Sequence, residues 1–431
     1  MKKIILVFIL LGFNYCYGQV ITISGKVLNK NQLEPVLFAN IAVKGFPIGV
    51  SSNEMGEFSF HVPDFYGKDT LSVSAIGFKS FECAINQISK TDSLIICLDE
   101  QIYELHSVIV FPEDELKDII KNVTKNIKKN YPKRTNLLNG FYRELTLRDN
   151  NYTRLIEAAI DIQRPGINST EGNLVRVNEL RKSDSYIEYD WKSKLFNKIN
   201  GERNQLYSIL VSDIIYSHNK TYVTKDILTN NFINSYDFVL ENISMIDSIR
   251  VFEIRFFDKK YYGEYDGNFV TIENHWISVR EDSYAIIKYE FKLQIVKNFD
   301  KLKYVNFEDN CIVSCTVYYK EYEGKYYPYL YEKMTLANAK YADENTGKGK
   351  QYMKSTLLIN NIVTKRSDEY EKVKKRFSSP ADVDLYNQDF KYNPAFWSNY
   401  NILQLNPIYK QAKQDLEFGK SLEEQFIQNG K

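Results

Sequence analysis

The chain has little of what bends or crosslinks a backbone, and little of what carries most catalysis. Of 431 residues only 19 are Gly, 10 Pro, 5 Cys and 4 His. So little Gly and Pro excludes a collagen-like fibre or a low-complexity chain. The four histidines, His61, His106, His218 and His275, fall in no His-x-x-Glu or His-Glu-x-x-His pattern, so no zinc motif is present. There is no Gly-x-Ser-x-Gly elbow, no phosphate-cradling glycine loop and no Cys/His nucleophile signature. Net charge is missing too: 56 Lys plus Arg against 55 Asp plus Glu leave +1. Such a balance draws in neither nucleic acid nor an anionic membrane. Beyond the first twenty residues no run approaches the roughly 18 apolar residues of a spanning helix. No catalytic residue, metal ligand or cofactor is expected.

What is present is aromatic. The chain has 33 Tyr and 26 Phe, residues suited to a pleated, half-buried surface. With 44% hydrophobic and 26% charged residues, this composition predicts a folded, mainly β protein. At roughly 100–200 residues per domain it should hold two or three domains.

Lys2 and Lys3 precede the apolar run Ile4 to Phe13, which is too short to cross the ~30 Å hydrocarbon core. With small residues at Cys16 and Gly18, residues 1–18 read as a signal peptide cleaved between Gly18 and Gln19. Cys16 raises a lipoprotein alternative, but Phe13-Asn14-Tyr15 lacks the small residue that such processing requires. Export allows disulfides among Cys83, Cys97, Cys311 and Cys315. Cys311 and Cys315 sit four apart on one strand, roughly 13 Å at strand rise, beyond bridging distance. Cys83 is in phase with Phe81 and Ile85, whereas Cys97 is out of phase with Leu94, Ile96 and Leu98. The cysteines therefore read as small buried hydrophobes in preference to a bridge.

Residues 19–110 read as short strands between turns: Ile21 to Leu28, Ala39 to Val43, Gly56 to Val62, Thr70 to Ala75, Ser80 to Ile85 and Leu94 to Leu98. Gly25-x-Val27, Pro35, Ala39-Asn40-Ile41-x-Val43, Gly45, Gly49, Asn53-x-x-Gly56-x-Phe58, Val62 and Leu71-x-Val73-x-x-x-Gly77-Phe78 carry a resemblance. The segment resembles the carboxypeptidase D regulatory-like domain of Gram-negative bacterial proteins. That resemblance implies a transthyretin-like, seven-stranded Greek-key sandwich acting as an accessory module without catalytic residues. Asn53 replaces the usual Asp, and Phe46 stands where the family commonly has a small residue.

A connecting helix is expected over residues 111–132, starting at Pro112-Glu113-Asp114-Glu115, with a stripe of Leu116, Ile119, Ile120, Val123 and Ile127. Residues 133–366 read as an antiparallel β domain, a curved sheet or half-barrel, with one helix over 205–216. Tyr289, Phe291, Leu293 and Ile295 alternate with Lys288, Glu290, Lys292 and Gln294. Phe141 to Leu147 and Leu155 to Gln163 look extended, and six further strands are expected, Phe238 to Glu241, Val251 to Phe257, Phe269 to Val279, Tyr284 to Val296, Ile312 to Tyr319 and Tyr326 to Ala337. Their cadence, with Glu281-Asp282-Ser283 as a turn before Ala285-Ile286-Ile287-Lys288, resembles the open β-barrels of periplasmic lipoprotein carriers. The resemblance implies an apolar concave face able to hold an acyl chain or hydrophobic peptide. Residues 367–431 read as a helical tail, with Ser367 to Phe377 charged and helical, breakers at Asn393-Pro394 and Asn406-Pro407, and a final helix from Ile408 to Phe426.

Two kinds of residue are candidate sites. Paired acids, Asp64 with Asp69 and Glu264 with Asp266, are set against ordinary surface charge. Tyr318, Tyr319, Tyr322, Tyr326, Tyr327, Tyr329 and Tyr331 around Pro328, and Tyr261, Tyr262 and Tyr265 before Gly267, are sugar-stacking or interface candidates set against core packing. The ligand-binding residues stay open. The expected protein is non-catalytic, located in the periplasm, associated with the outer membrane, or secreted. Its role is binding or assembly, with an envelope protein, lipid or glycan as partner. A small outer-membrane barrel or receptor-associated protein and an envelope hydrolase are the alternatives. Lys288, Glu290 and Lys292 argue against the barrel, because a lipid-facing strand cannot hold them. The processing step is checked by intact-mass analysis of the exported protein, which should give the mass of residues 19–431; a lipidated chain beginning at Cys16 would overturn it.

Overall fold

A computed structural model describes residues 20–88, 93–101, 111–149, 151–186, 204–218, 228–229, 233–258, 262–265, 269–297, 311–336, 351–364, 376–404 and 407–430. Gly18 and Gln19, His106, Tyr261, Asp266, Gly267 and most of the 367–377 stretch lie outside them.

Alternation of inward Ile and Val with outward polar residues builds the first seven strands: β1 (Val20–Asn29), β2 (Asn40–Val43), β3 (Gly49–Ser51), β4 (Glu57–Pro63), β5 (Thr70–Ser74), β6 (Phe81–Ala84) and β7 (Leu94–Leu98). They form two sheets, β4-β1-β7 and β3-β2-β5-β6, closed over Ile23, Val27, Ile41, Phe58, Phe60, Leu71, Val73 and Ile96. All six expected strands are present. The seventh, β3, spans three residues and is too short for a periodic signal. Among the cysteines, Cys315 is buried, but Cys97 is exposed, which corrects its reading as a buried hydrophobe; both are free thiols, as is Cys83.

Helix α1 (Glu113–Asn130) carries three acids in its first turn and Lys128 and Lys129 in its last, matching the helix dipole at both ends. Its stripe of Leu116, Ile119, Ile120, Val123 and Ile127 is buried as expected. The chain then runs through β8 (Asn136–Arg148), β9 (Asn151–Arg164), β10 (Leu174–Lys182), α2 (Leu206–Val211), α3 (Ile214–Ser217), β11 (Tyr236–Ile246), β12 (Ile249–Asp258), β13 (Tyr262–Tyr265), β14 (Phe269–Arg280), β15 (Ile286–Lys297), β16 (Cys311–Tyr322), β17 (Lys325–Leu336) and β18 (Gln351–Val363). These strands form one antiparallel sheet of order β10-β9-β8-β18-β17-β16-β15-β14-β12-β11, with β13 also on β14. The sheet is open, with β10 and β11 at its edges. Three features differ from the sequence reading. Tyr284 lies in the turn at φ 55, not in a strand. The helix expected over 205–216 is split at Asp213, whose side chain caps α3. β10, β13 and β18 have no expected counterpart.

Residues opposed across neighbouring strands share a face. One such row is apolar: Tyr142, Leu357, Tyr331, Val317, Tyr289, Ile277 and Ile254, from β8 to β12. The next row, on the opposite face, is charged: Arg181, Glu157, Arg143, Thr356, Glu332, Thr316, Glu290, Trp276 and Arg255. Helices α1, α2 and α3 lie on the apolar face, in one core with it. The sandwich covers part of the charged face, packing against Phe141, Ala159, Tyr329, Leu330 and Leu358.

The tail folds back as α4 (Pro394–Trp397), α5 (Pro407–Leu416) and α6 (Leu422–Gln428). Asn393-Pro394 starts a helix, with the Asn393 side chain capping it, so it is not simply a break. The single helix expected over 408–426 is two: Gly419 turns the chain at φ 83 and Ser421 opens α6 with a reciprocal capping box to Glu424.

Asp213 anchors α3 to the apolar face. Its carboxylate accepts from the backbone of Ile215 and Tyr216, both at 2.9 Å, from Tyr319 at 2.7 Å, Tyr331 at 2.9 Å and Arg164 at 2.8 Å. Burial alone would push its pKa up; Arg164 and these donors outweigh that and hold it below the usual range. Truncating one partner of a buried pair strands the other charge. Asp213→Ala should therefore cost about 3–5 kcal/mol in a urea titration, and a loss under ~1 kcal/mol would show that this node does not hold the helices down.

Candidate functional site: the cleft between sandwich and sheet

The outer face of β2 and β5 is built of small or polar residues, Asn40, Ala42, Ser72 and Ser74, because the alternating positions Ile41, Val43, Leu71 and Val73 face the sandwich core. Opposite stand Tyr318, Lys320 and Tyr329 of the large sheet. Small side chains facing large ones leave a gap: a cleft of about 410 Å³, within the range of small-ligand sites, ~300–1,000 Å³. Its walls are held by direct contacts. The Tyr329 hydroxyl donates to the Phe38 carbonyl at 2.8 Å, and Gly77 N–H to the Met245 carbonyl at 2.8 Å. Asp247, in the β11–β12 turn, accepts from Ser80 N–H and Oγ, both at 2.8 Å.

Lys320 is the deepest charge in this cleft, 8% exposed. Its Nζ donates to the Pro47 carbonyl at 3.3 Å. It reaches there because residue 49 is glycine: a Cβ would stand 3.1 Å from Nζ and 2.7 Å from the Ile41 carbonyl oxygen. Burial pushes the amine down to about 8, with no carboxylate opposing the shift. Other charges at the cleft are matched, Lys44 by Glu82 at 2.7 Å and Arg280 by Asp282 at 2.8 Å. The Asn40 side-chain oxygen is buried with no hydrogen-bond partner.

An aromatic lip borders the cleft. Phe46, 39% exposed, meets Tyr66 edge-on with centroids 4.8 Å apart, and Tyr66 lies 4.2 Å from Phe65, 76% exposed. Phe46 is the residue whose size departs from the family pattern.

A second, smaller cavity of about 250 Å³ opens on the charged row, between Glu54 of the sandwich, Gln404, and the Arg143, Glu332 and Lys354 side of the sheet. Burial, with Glu54 nearby, pushes the Glu332 carboxyl up to about 8. Further along the row, burial would raise Glu157, but Arg181 and Arg143 hold it below the usual carboxylate range. Arg143 Nε lies 2.6 Å from Glu157, and the Arg181 guanidinium sits 4.3 Å from the Trp397 ring. Those three charges are a structural clamp.

The sequence candidates divide. Tyr319 and Tyr331 are core residues bonded to Asp213, while Tyr318, Tyr319, Tyr326 and Tyr329 line the larger cleft. Tyr322 and Tyr327 form a ring pair at 6.3 Å. Tyr262, Tyr265 and Glu264 belong to β13. Asp64 is exposed and Asp69 partly buried after β4, and neither lines a described cavity. His61 bonds Thr22 at 3.0 Å, and burial lowers its pKa. His218 is buried beside α3. His275 is buried in the core, stacked on Phe256 at 4.8 Å with Nδ1 3.0 Å from the Tyr289 hydroxyl. Among the described residues no group of three or more His, Cys, Asp or Glu could hold a metal. Sequence reasoning missed Lys320, Asn40 and Phe46 as one site, although Phe46 stood out as a departure.

A family model for the CarboxypepD_reg-like domain matches residues 23–110. Those residues are a carboxypeptidase-regulatory-like domain. No curated protein matches the chain. Three solved structures are similar at low TM-score. A DUF1329 family protein from Desulfovibrio piger is 9% identical, with 62% of this chain and 100% of that one covered and a TM-score of 0.27. A proposed outer membrane lipoprotein-sorting protein domain from Vibrio parahaemolyticus is 8% identical, covering 60% and 97%, at 0.26. A LolA superfamily protein from Nitrosomonas europaea is 12% identical, covering 60% and 96%, at 0.22. The lipoprotein-sorting protein is of the kind the strand cadence resembles, but scores this low carry no argument, and the large sheet rests on its own strand pairing. The regulatory-like sandwich supplies one wall of the cleft and its aromatic lip.

The Lys320 amine has its ordinary pKa at 10.5 and sits at about 8 in the folded chain. Between those values the unfolded chain holds a proton that the native chain has shed, so this group makes stability rise with pH across that window. Below pH 8 its burial penalty is fully present. Lys320→Met should therefore raise Tm by about 2–4 °C at pH 7, with the gain shrinking as pH climbs toward 10.5. Calorimetry of both forms across that range checks it, and a lower Tm for the variant at pH 7 would sink it.

Proposed function

We propose that this is a non-catalytic, exported protein of the bacterial cell envelope that binds a polar surface polymer, a glycan, in the cleft between its regulatory-like sandwich and its large sheet. The observation that carries this reading is the make-up of the cleft: hydroxyl and amide groups on the walls, a buried ammonium, and the exposed ring of Phe46 at the lip, continued by half-buried Tyr66 and exposed Phe65. Flat aromatic faces beside hydrogen-bonding walls suit a sugar ring, which is apolar on its faces and polar at its edge. The signal-peptide-like start and the regulatory-like module support an extracytoplasmic setting.

A hydrophobic cargo fits less well. The apolar face of the sheet is filled by α1, α2 and α3, so an acyl chain would have to displace helices that share its core. A lipid-facing barrel fits less well too, since the two faces of the sheet meet helices on one side and carry a row of charges on the other. No helix among the described residues is long and apolar enough to cross a membrane.

The test joins cell fractionation to affinity electrophoresis of the purified protein in gels containing envelope polysaccharides. Recovery without detergent and retardation by a glycan are expected. Phe46→Ala with Phe65→Ala should weaken that binding about tenfold or more, since stacked anchors carry ~1–2 kcal/mol each. Co-purification of a lipid in organic extracts or a requirement for detergent would overturn the reading, and release of shortened sugars would favour a hydrolase.

A further inference from the structure

We propose that the unit seated in this cleft is anionic, an acidic sugar whose carboxylate pairs with Lys320; this rests on the glycan reading above. The argument begins with the cost of a buried ammonium. A charge taken out of water is stable only when paired or richly hydrogen-bonded. Lys320 is more than nine-tenths buried, yet among the described residues its ammonium donates to one carbonyl, that of Pro47, at 3.3 Å. An ammonium can donate three hydrogen bonds, so this site keeps an unfilled demand for an acceptor, facing a cavity large enough for a small ligand.

The charge count selects the kind of anion. Lys44 and Arg280, the other cations lining the cleft, are matched by Glu82 and Asp282. Asp247 and Glu321 also line the cleft, but Asp247 is engaged by Ser80 and Glu321 by the Tyr326 hydroxyl. Lys320 is thus the lining cation without a carboxylate at ion-pair distance among the described residues, and a single ammonium suits a monoanion better than a dianionic phosphate. The remaining polar feature agrees with a sugar acid: Asn40 lines the same wall, and its side-chain oxygen, buried without a partner, would accept from a ring hydroxyl once the amide turns toward the cleft. Phe46 at the lip offers a face for the neighbouring sugar. Lys320 thus selects the ligand's charge, and its lowered pKa sets the range in which it can do so: above about pH 8 the amine is neutral and the preference fades.

The experiment is calorimetric titration of the exported chain, wild type and Lys320→Met, with oligomers of galacturonic acid and with neutral galactose oligomers of the same length. Tm is measured in parallel with sodium glucuronate and with inorganic phosphate. The wild type should prefer the acidic oligomer about tenfold or more at pH 6.5, because it alone gains a charge-assisted hydrogen bond to the ammonium. The preference should vanish at pH 9.5 and in Lys320→Met, whose Tm without ligand shows that it is folded. A preference that survives in Lys320→Met overturns the proposal. So does binding of both oligomers without preference, which leaves the glycan reading standing. If neither oligomer binds, the glycan reading falls, and the Tm arm decides: a rise with glucuronate in the wild type but not in the variant upholds the carboxylate site. A rise with phosphate alone, or with neither, overturns it.

Discussion

Asp213 gathers five donors from four elements at one carboxylate, and what the large sheet can do depends on that node. Arg164 from β9, Tyr319 from β16 and Tyr331 from β17 reach it from the apolar face. The start of α3 meets it from above. With α2 and α3 held there, beside α1, the concavity that an open sheet would otherwise offer is occupied by the chain itself. A carboxylate with this many donors has little capacity left for a substrate, so the node is architectural. The energetic logic is that of a buried pair: desolvation is unfavourable, and satisfying every lone pair keeps it tolerable.

The opposite face follows a different rule. Its charges are ordered in a row across the strands, opposite signs meeting at Arg181, Glu157 and Arg143, and the sandwich covers part of that face. Where the regulatory-like domain meets Phe141, Leu330 and Leu358 the contact is apolar and closed. Where it presents Asn40, Ala42, Ser72 and Ser74 it stays open, because those side chains are too short to reach Lys320 and Tyr318. The cleft is thus a consequence of alternation in two sheets that were patterned for their own cores.

That origin accounts for what was legible. The sandwich strands, α1 and the strands between 236 and 336 announce themselves by periods of 2 and 3.6, since burial on one face imposes the pattern locally. Strand β18 did not, because its residues are apolar on both faces where it runs mid-sheet, as Leu357 and Leu358 are. The break at Asp213 is hidden because its neighbours, Leu210 and Ile214, continue a helical stripe; the Asp213 side chain caps Ile215 and Tyr216 locally, while Arg164, Tyr319 and Tyr331, distant in sequence, hold the same carboxylate.

Composition and periodicity by themselves determined that this chain is mainly β, opens its folded part with a run of short strands, and carries no familiar catalytic motif; the glycine and valine motifs within that run added the resemblance to a regulatory-like sandwich. These are properties of neighbouring residues, set by hydrophobic spacing and turn chemistry. Only the tertiary structure decided which face of the large sheet is filled, that Tyr319 and Tyr331 hold a buried carboxylate, and that Lys320 lies beneath Gly49 in a polar cleft with Phe46 at its lip. Those outcomes depend on contacts between residues separated by a hundred positions or more. Desolvation, which gives Lys320 its lowered pKa, comes from the sandwich packed over it and leaves no trace in the residues beside it in the chain.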